Sequence, residues 1–211
     1  MKILALEFSS ERRAVALLDG ASLCGTAAAM GHEPSAMAMI EEILRQAAWD
    51  HEAIECIAVG LGPGSYTGIR SAIALAQGWA LARDVRLLGI SSVEVLAATA
   101  RAEGLRGAIR FVIDAQRGDF YRADYDLDVA AARLTEPLAI VGRDELLRTS
   151  GGTIVGPEAD ELGGTRMFPD AAQLGLLADG QKNFVVGESL EPIYLRETNF
   201  VKAPPPRVLP V

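Results

Sequence analysis

Apolar and polar positions follow two rhythms along this chain, and each change of rhythm marks an element. Residues 3–8 (ILALEF) and 13–18 (RAVALL) are short apolar runs separated by Ser9-Ser10-Glu11-Arg12, which predicts two buried strands and a turn. Asp19-Gly20 tolerates positive φ and predicts a hairpin into a third strand near 22–29. Gly31-His32-Glu33-Pro34 then breaks the chain. Apolar residues at 36, 40, 43, 44 and 47 share one face of a helix over 35–48. A strand at 54–60, a glycine-rich loop, a helix at 67–82 and a strand at 86–90 follow. Ser91-Ser92 with Glu94 predicts a capped helix over 93–102.

After Gly104 and Gly107 the order returns. Strand 109–114, a turn at Gln116-Arg117-Gly118, strand 119–125, strand 133–141, helix 143–149, strand 152–156 and helix 170–180 repeat the plan of the first half. Leu6–Arg12 lies against Ile113–Asp119, about 107 residues later, and each first strand ends in a carboxylate. Strand–strand–strand–helix–strand–helix, made twice, resembles the actin/Hsp70/sugar-kinase superfamily. The expected fold is α/β, a duplicated actin-like/Hsp70-like (ASKHA, RNase H-like) fold with two βββαβα subdomains. The expected domains are 1–106 and 107–211, with the tail after about 190 returning to the first.

Composition narrows the partners. Half of the 211 residues are hydrophobic, enough for a sizeable core, and the net charge of −8 argues against a chain that grips nucleic acid by itself. The opening apolar run is too short for a secretory leader, and no 18-residue apolar stretch exists, so a cytoplasmic chain with no membrane span is expected. Cys24 and Cys56 read as reduced thiols. His51-Glu52 begins like a zincin motif, but Glu55 stands where the second His belongs.

The most specific segment runs from Gly60 to Arg70 (GLGPGSYTGIR). Glycines around a proline, between a strand and a helix, allow tight turning and close backbone approach. Gly62, Gly64, Ser65, Thr67 and Gly68 are therefore the candidate remnant of a phosphate-binding loop. No Lys-Ser/Thr pair follows, and a turn that merely sets the helix angle fits equally well. Glu7 and Asp114 are candidate vestigial cleft carboxylates; the alternative is strand-end acids satisfied by backbone N–H groups. Glu7 is a methylene longer than Asp, and Phe8-Ser9-Ser10 lacks a glycine, so an ATP site reads as impaired. His32 is a candidate cap for the helix at 35–48 or plain surface. Ser65, His32 and Asp114 lack the G-x-S-x-G elbow of a hydrolase. The helix at 69–82 is apolar nearly all round, so it needs cover on two sides, from its own sheet and from either a second protein or the helix at 35–48.

Four segments, taken in order, resemble the bacterial TsaB (YeaZ) family of tRNA threonylcarbamoyladenosine biosynthesis: Ile3–Ser9, Gly60–Arg70, Ile113–Tyr121 and Glu191–Arg196. The resemblance implies a non-catalytic subunit that pairs with the catalytic TsaD protein and works with the small ATPase TsaE. It implies contact with tRNA only through that complex, in the transfer of threonylcarbamoyl to adenosine 37 of tRNAs reading codons that begin with A. No resident cofactor is implied, weak Mg-nucleotide binding being left open, and no metal, since Ala36 breaks H-x-x-x-H after His32. In the family, two N-terminal helices form the pairing surface. Here those are the helices at 35–48 and 67–82, with Met37, Ile40, Leu44, Ile69, Ala72, Ile73 and Ala76 as the expected interface. Without its partner, the same apolar patch is expected to drive homodimerisation, because exposed apolar surface seeks cover. The family's historical grouping with M22 glycoproteases supplies the alternative, an ATP- or metal-dependent M22 peptidase-like enzyme of the same fold. Departures from the family pattern are Glu7 in place of Asp, Phe8-Ser9 in place of Thr-Ser or Thr-Ala, Glu33 after His32, and Met37 and Met39.

Overall fold

A computed structural model describes residues 1–148 and 152–195; Arg196, the Pro204–Pro206 tail and the last residue of the helix expected over 143–149 lie outside the described residues. The first half is built on β1 (Lys2–Glu7), which is buried from Ile3 onward because both of its faces are covered. Leu4 and Leu6 point into one core with Val15, Leu17, Ile57 and Val59, while Ile3 and Ala5 point into the opposite one. β2 (Arg12–Asp19) and β3 (Ser22–Met30) extend the sheet antiparallel on one side. β4 (Cys56–Gly60) and β5 (Arg86–Ile90) extend it parallel on the other, giving the order β3-β2-β1-β4-β5.

The second sheet repeats this order around β6 (Gly107–Asp114). β7 (Asp119–Leu127) and β8 (Ala132–Gly142) pair antiparallel, and β9 (Thr153–Gly156) and β10 (Thr165–Arg166) pair parallel. One strand order built twice is the duplicated actin-like fold that the order of elements predicts. β10 is two residues long, too short to leave a period in the sequence.

The halves differ in their helices. α1 (Ala36–Ala47) and α2 (Tyr66–Ala82) cover one face of the first sheet. In the second half α4 (Arg143–Arg148) is short, and a single 3-10 turn at Ala159–Leu162 stands where α2 would recur. α5 (Ala171–Ala178) packs on the first sheet, not the second: Ala171, Leu174 and Ala178 join Ile3, Ala5, Ala14, Ala16 and Leu18. The alanines make this face flat, and a Cβ at Gly175 would collide with Leu18, so α5 lies close to the strands. α3 (Ser92–Ala102) goes the other way. Its Val93, Leu96, Ala97 and Ala100 pack with Ile109, Phe111 and Ile113, while Val95 joins Ile3, Ala5 and Leu174 on the α5 face of the first sheet. A boundary at 106/107 thus separates the sheets but not the helices covering them. After α5 the chain stays on the first sheet, with N–H bonds from Val185 to the Leu87 carbonyl and from Ile193 to the Leu61 carbonyl, both 2.9 Å.

Candidate functional site

A cleft of about 820 Å³ opens where β1 and β6 end. Ser9, Ser10, His32, Ser65, Thr67 and Ser71 line one wall, and Asp114, Gln116, Tyr121 and Glu158 line the other. His32 is exposed on this wall and does not cap α1; Ser35 does so instead, its Oγ accepting the Ala38 N–H at 3.2 Å. Asp114 accepts the Gln116 backbone N–H at 2.8 Å and its side-chain amide at 3.0 Å. Gln116 and Arg117, both at positive φ (65° and 63°), curl the chain so that this amide can reach back. The Asp114 N–H donates in turn to Glu158 at 3.1 Å. Burial pushes the Glu158 carboxyl above its ordinary range, and the nearby Asp114 and Glu11 charges add to this against the backbone N–H bonds from Asp114 and from Glu158 itself. Asp114 and Glu158 therefore offer this wall no cationic group for a phosphate, and among the described residues Arg13 is the cation that lines the cleft.

Glu7 does not line the cleft, which corrects its assignment as a cleft carboxylate. Its side chain turns inward and is fully buried, accepting the Ser9 N–H at 2.9 Å and the Ser92 hydroxyl at 3.0 and 3.2 Å. Burial is the dominant effect and raises its pKa above the usual carboxylate value. Gly60 makes room for it, since a Cβ there would fall on the carboxylate. Ser92, expected only to start a helix, is what holds this acid. Ser91 makes no side-chain cap bond to α3.

The glycine loop spends its donors on the protein. Leu61 N–H bonds to the Ile90 carbonyl (2.9 Å), Gly62 N–H to Ser92 Oγ (3.0 Å), Ser65 N–H to the Ser9 carbonyl (2.7 Å) and Gly68 N–H to Ser65 Oγ (3.2 Å). A phosphate at Gly62, Ser65 or Gly68 would have to displace these bonds. A Cβ at Gly64 would land on the Ser9 carbonyl, and one at Gly68 on the Phe8 carbonyl. These glycines let the loop and the start of α2 approach the turn after β1 backbone to backbone. Thr67 is exposed and rims the cleft.

The expected interface requires a second correction. Ile40, Leu44, Ile69, Ala72, Ile73 and Ala76 are between 0 and 6 % exposed, packed under α1 and α2 against the chain's own sheet; of the seven, only Met37 is exposed, at 40 %. The outward face of α2 is Thr67, Arg70, Ser71, Ala74, Gly78 and Leu81, the last 90 % exposed. Leu75 and Trp79 are partly buried against the core, and Trp79 lies 5.4 Å from His51, which bridges to Glu41 of α1 at 2.9 Å. Gln77 and Arg70 bond to Gly187 and Tyr194 of the returning C-terminal segment. The outward stripe is therefore a shallow floor of small residues between two walls. Among the described residues, no three of His, Cys, Asp and Glu stand together as metal ligands, and no helix is long and apolar enough to cross a membrane.

Sheet order and cleft together define a duplicated actin-like protein. Residues 24–163 match the family described as TsaD: tRNA N6-adenosine threonylcarbamoyltransferase. The Escherichia coli protein named tRNA threonylcarbamoyladenosine biosynthesis protein TsaB is 28% identical over 201 residues, covering 92% of this chain and 85% of that protein. The Haemophilus influenzae protein of the same name is 27% identical, covering 97% and 98%. The solved structure of YeaZ from Pseudomonas aeruginosa superposes with a TM-score of 0.79 at 26% identity, over 92% of this chain and 99% of that one. The chain belongs to this family, in its TsaB (YeaZ) branch.

Proposed function

We propose that this chain is a non-catalytic docking subunit of tRNA threonylcarbamoyladenosine synthesis, pairing with a TsaD-type catalytic protein through the outward faces of α1 and α2. One observation carries the reading: along α2, Thr67, Ser71, Ala74 and Gly78 form an exposed stripe with no long side chain to hold a second helix away. Leu81, at 90 % exposed, and Met37, at 40 %, add apolar surface beside it. In this reading TsaE and tRNA are met through the complex in the cytoplasm, and the same face joins two copies when the catalytic partner is absent. The enzyme alternative draws no support from Glu7 and Asp114, because only Asp114 lines the cleft.

Gly78 offers the cleanest test, since open space surrounds it and a side chain there leaves the lone chain's packing intact. Gly78→Arg is expected to weaken binding to a TsaD-type protein by about 100-fold or more, with a melting temperature no lower than the parent's, since glycine is the poorer helix former. Undiminished co-purification of that variant with the partner would overturn the assignment of this face.

A further inference from the structure

Resting on that pairing reading, we infer that Arg70 is the specificity-determining contact of the docking face, its guanidinium taking a carboxylate of the partner protein. Arg70 is the only ionisable charge among the 17 residues of α2 (YTGIRSAIALAQGWALA), and it borders the stripe of small residues. Among the described residues no carboxylate forms an ion pair with it.

Arg70 is nonetheless held in place. Its guanidinium lies 4.3 Å over the Tyr66 ring, and its Nε donates to the Tyr194 hydroxyl at 2.9 Å. Tyr66 and Tyr194 stack, ring centroids 5.9 Å apart and 29° between planes. Tyr194 comes from the far end of the chain but is firmly delivered. The segment that carries it is anchored by Val185 to β5, by the Gln77 amide to the Gly187 carbonyl at 2.8 Å, by the buried Leu190, and by Ile193 to the glycine loop. All three side chains are exposed even so, Tyr66 at 59 % and Tyr194 at 45 %.

An exposed arginine normally loses rotamer freedom when it engages a partner. Here the fold has already imposed that order, so a docking carboxylate meets a preset fork. Arginine and tyrosine are also the residue types that dominate binding energy at protein interfaces. A carboxylate fits this cluster better than an RNA backbone does. The two rings already face each other and the arginine, and one cation on a chain of net charge −8 is a poor track for phosphates.

The test is calorimetric titration of the full chain into a TsaD-type protein at low and high salt, with melting temperatures recorded for every variant. Arg70→Glu is expected to weaken binding about 50-fold or more, and Arg70→Gln about 10-fold, both with unchanged melting. Arg70→Lys keeps the charge without the fork and should fall between the parent and Arg70→Gln. Tyr194→Phe, which releases Nε but keeps the stack, should cost a few-fold. Binding by the unaltered chain should fall with salt more steeply than binding by Arg70→Gln. Equal affinity of the parent and Arg70→Glu would overturn the inference and leave the pairing reading intact. Binding of tRNA by the chain alone, abolished by Arg70→Glu, would overturn it in favour of RNA. No binding of the catalytic protein by the unaltered chain would overturn both.

Discussion

At Glu7, the Ser9 N–H and the hydroxyls of Ser9 and Ser92 favour the charged carboxylate, but burial away from water outweighs them. Burial lifts its pKa above the unfolded value, so the folded chain holds the proton over a pH window in which the unfolded chain has released it. The native state binds more protons there, and stability falls as pH rises from the unfolded pKa through the raised folded one, then levels off. Glu7→Gln keeps the shape and removes the charge. It should melt at a higher temperature than the parent at pH 8, the margin shrinking as the pH is lowered toward 4.5. An equal or lower melting temperature at pH 8 would contradict this account of the residue. The sequence placed Glu7 correctly at a strand end, but its direction was illegible. A hydroxyl that donates to it belongs to Ser92, 85 residues on, and the space it fills is a missing side chain at Gly60. Asp114 was readable because its partner Gln116 is two residues away.

At the scale of elements, α1 and α2 show when periodicity carries a phase. In α1 the helical spacing marks 36, 40, 43, 44 and 47; Ile40, Ile43 and Leu44 are buried as that pattern predicts, Ala36 and Ala47 are half-buried, and Met39, which it does not mark, is buried with them. α2 is apolar nearly all round, so its composition says that it is covered and marks poorly which side faces the sheet. The buried stripe is Ile69, Ala72, Ile73 and Ala76; the open one is set by alanine, serine and glycine, too small to register in a hydrophobic pattern. Ala76→Asp places a carboxylate in the core and should cost several kcal/mol, unfolding much of the chain. Ala74→Asp, two residues away on the open side, should change stability by only about 0.5 kcal/mol. Urea denaturation of the two variants checks this pair. Equal stability would mean that α2 is rotated from the orientation described.

Across the whole molecule, the two sheets are joined by an exchange of helices: α3 packs on the second sheet and α5 on the first. The repeat of strand order was legible because apolar runs and turns recur. The return of α5 was not, because its fit depends on alanines of β1 and β2 and on Gly175, which mark no helix by themselves. This exchange predicts one cooperative unfolding transition. Leu174→Ala, at a fully buried position of α5, should cost about 2–5 kcal/mol and lower hydrogen-exchange protection in β1 and β6 together. Loss of protection in β1 alone would mean that the halves fold independently.

The same architecture places a cleft lined by Glu11, Asp114 and Glu158 on one side and the exposed stripe of α2 on another, and the proposed docking role rests on the second. A reconstituted assay of threonylcarbamoyl transfer to tRNA, with a TsaD-type protein and TsaE, tests this most directly. Transfer should be absent with this chain alone, appear when it joins the other proteins, and fail when Gly78→Arg takes its place. Turnover by the isolated chain, or full transfer with Gly78→Arg, would contradict the account.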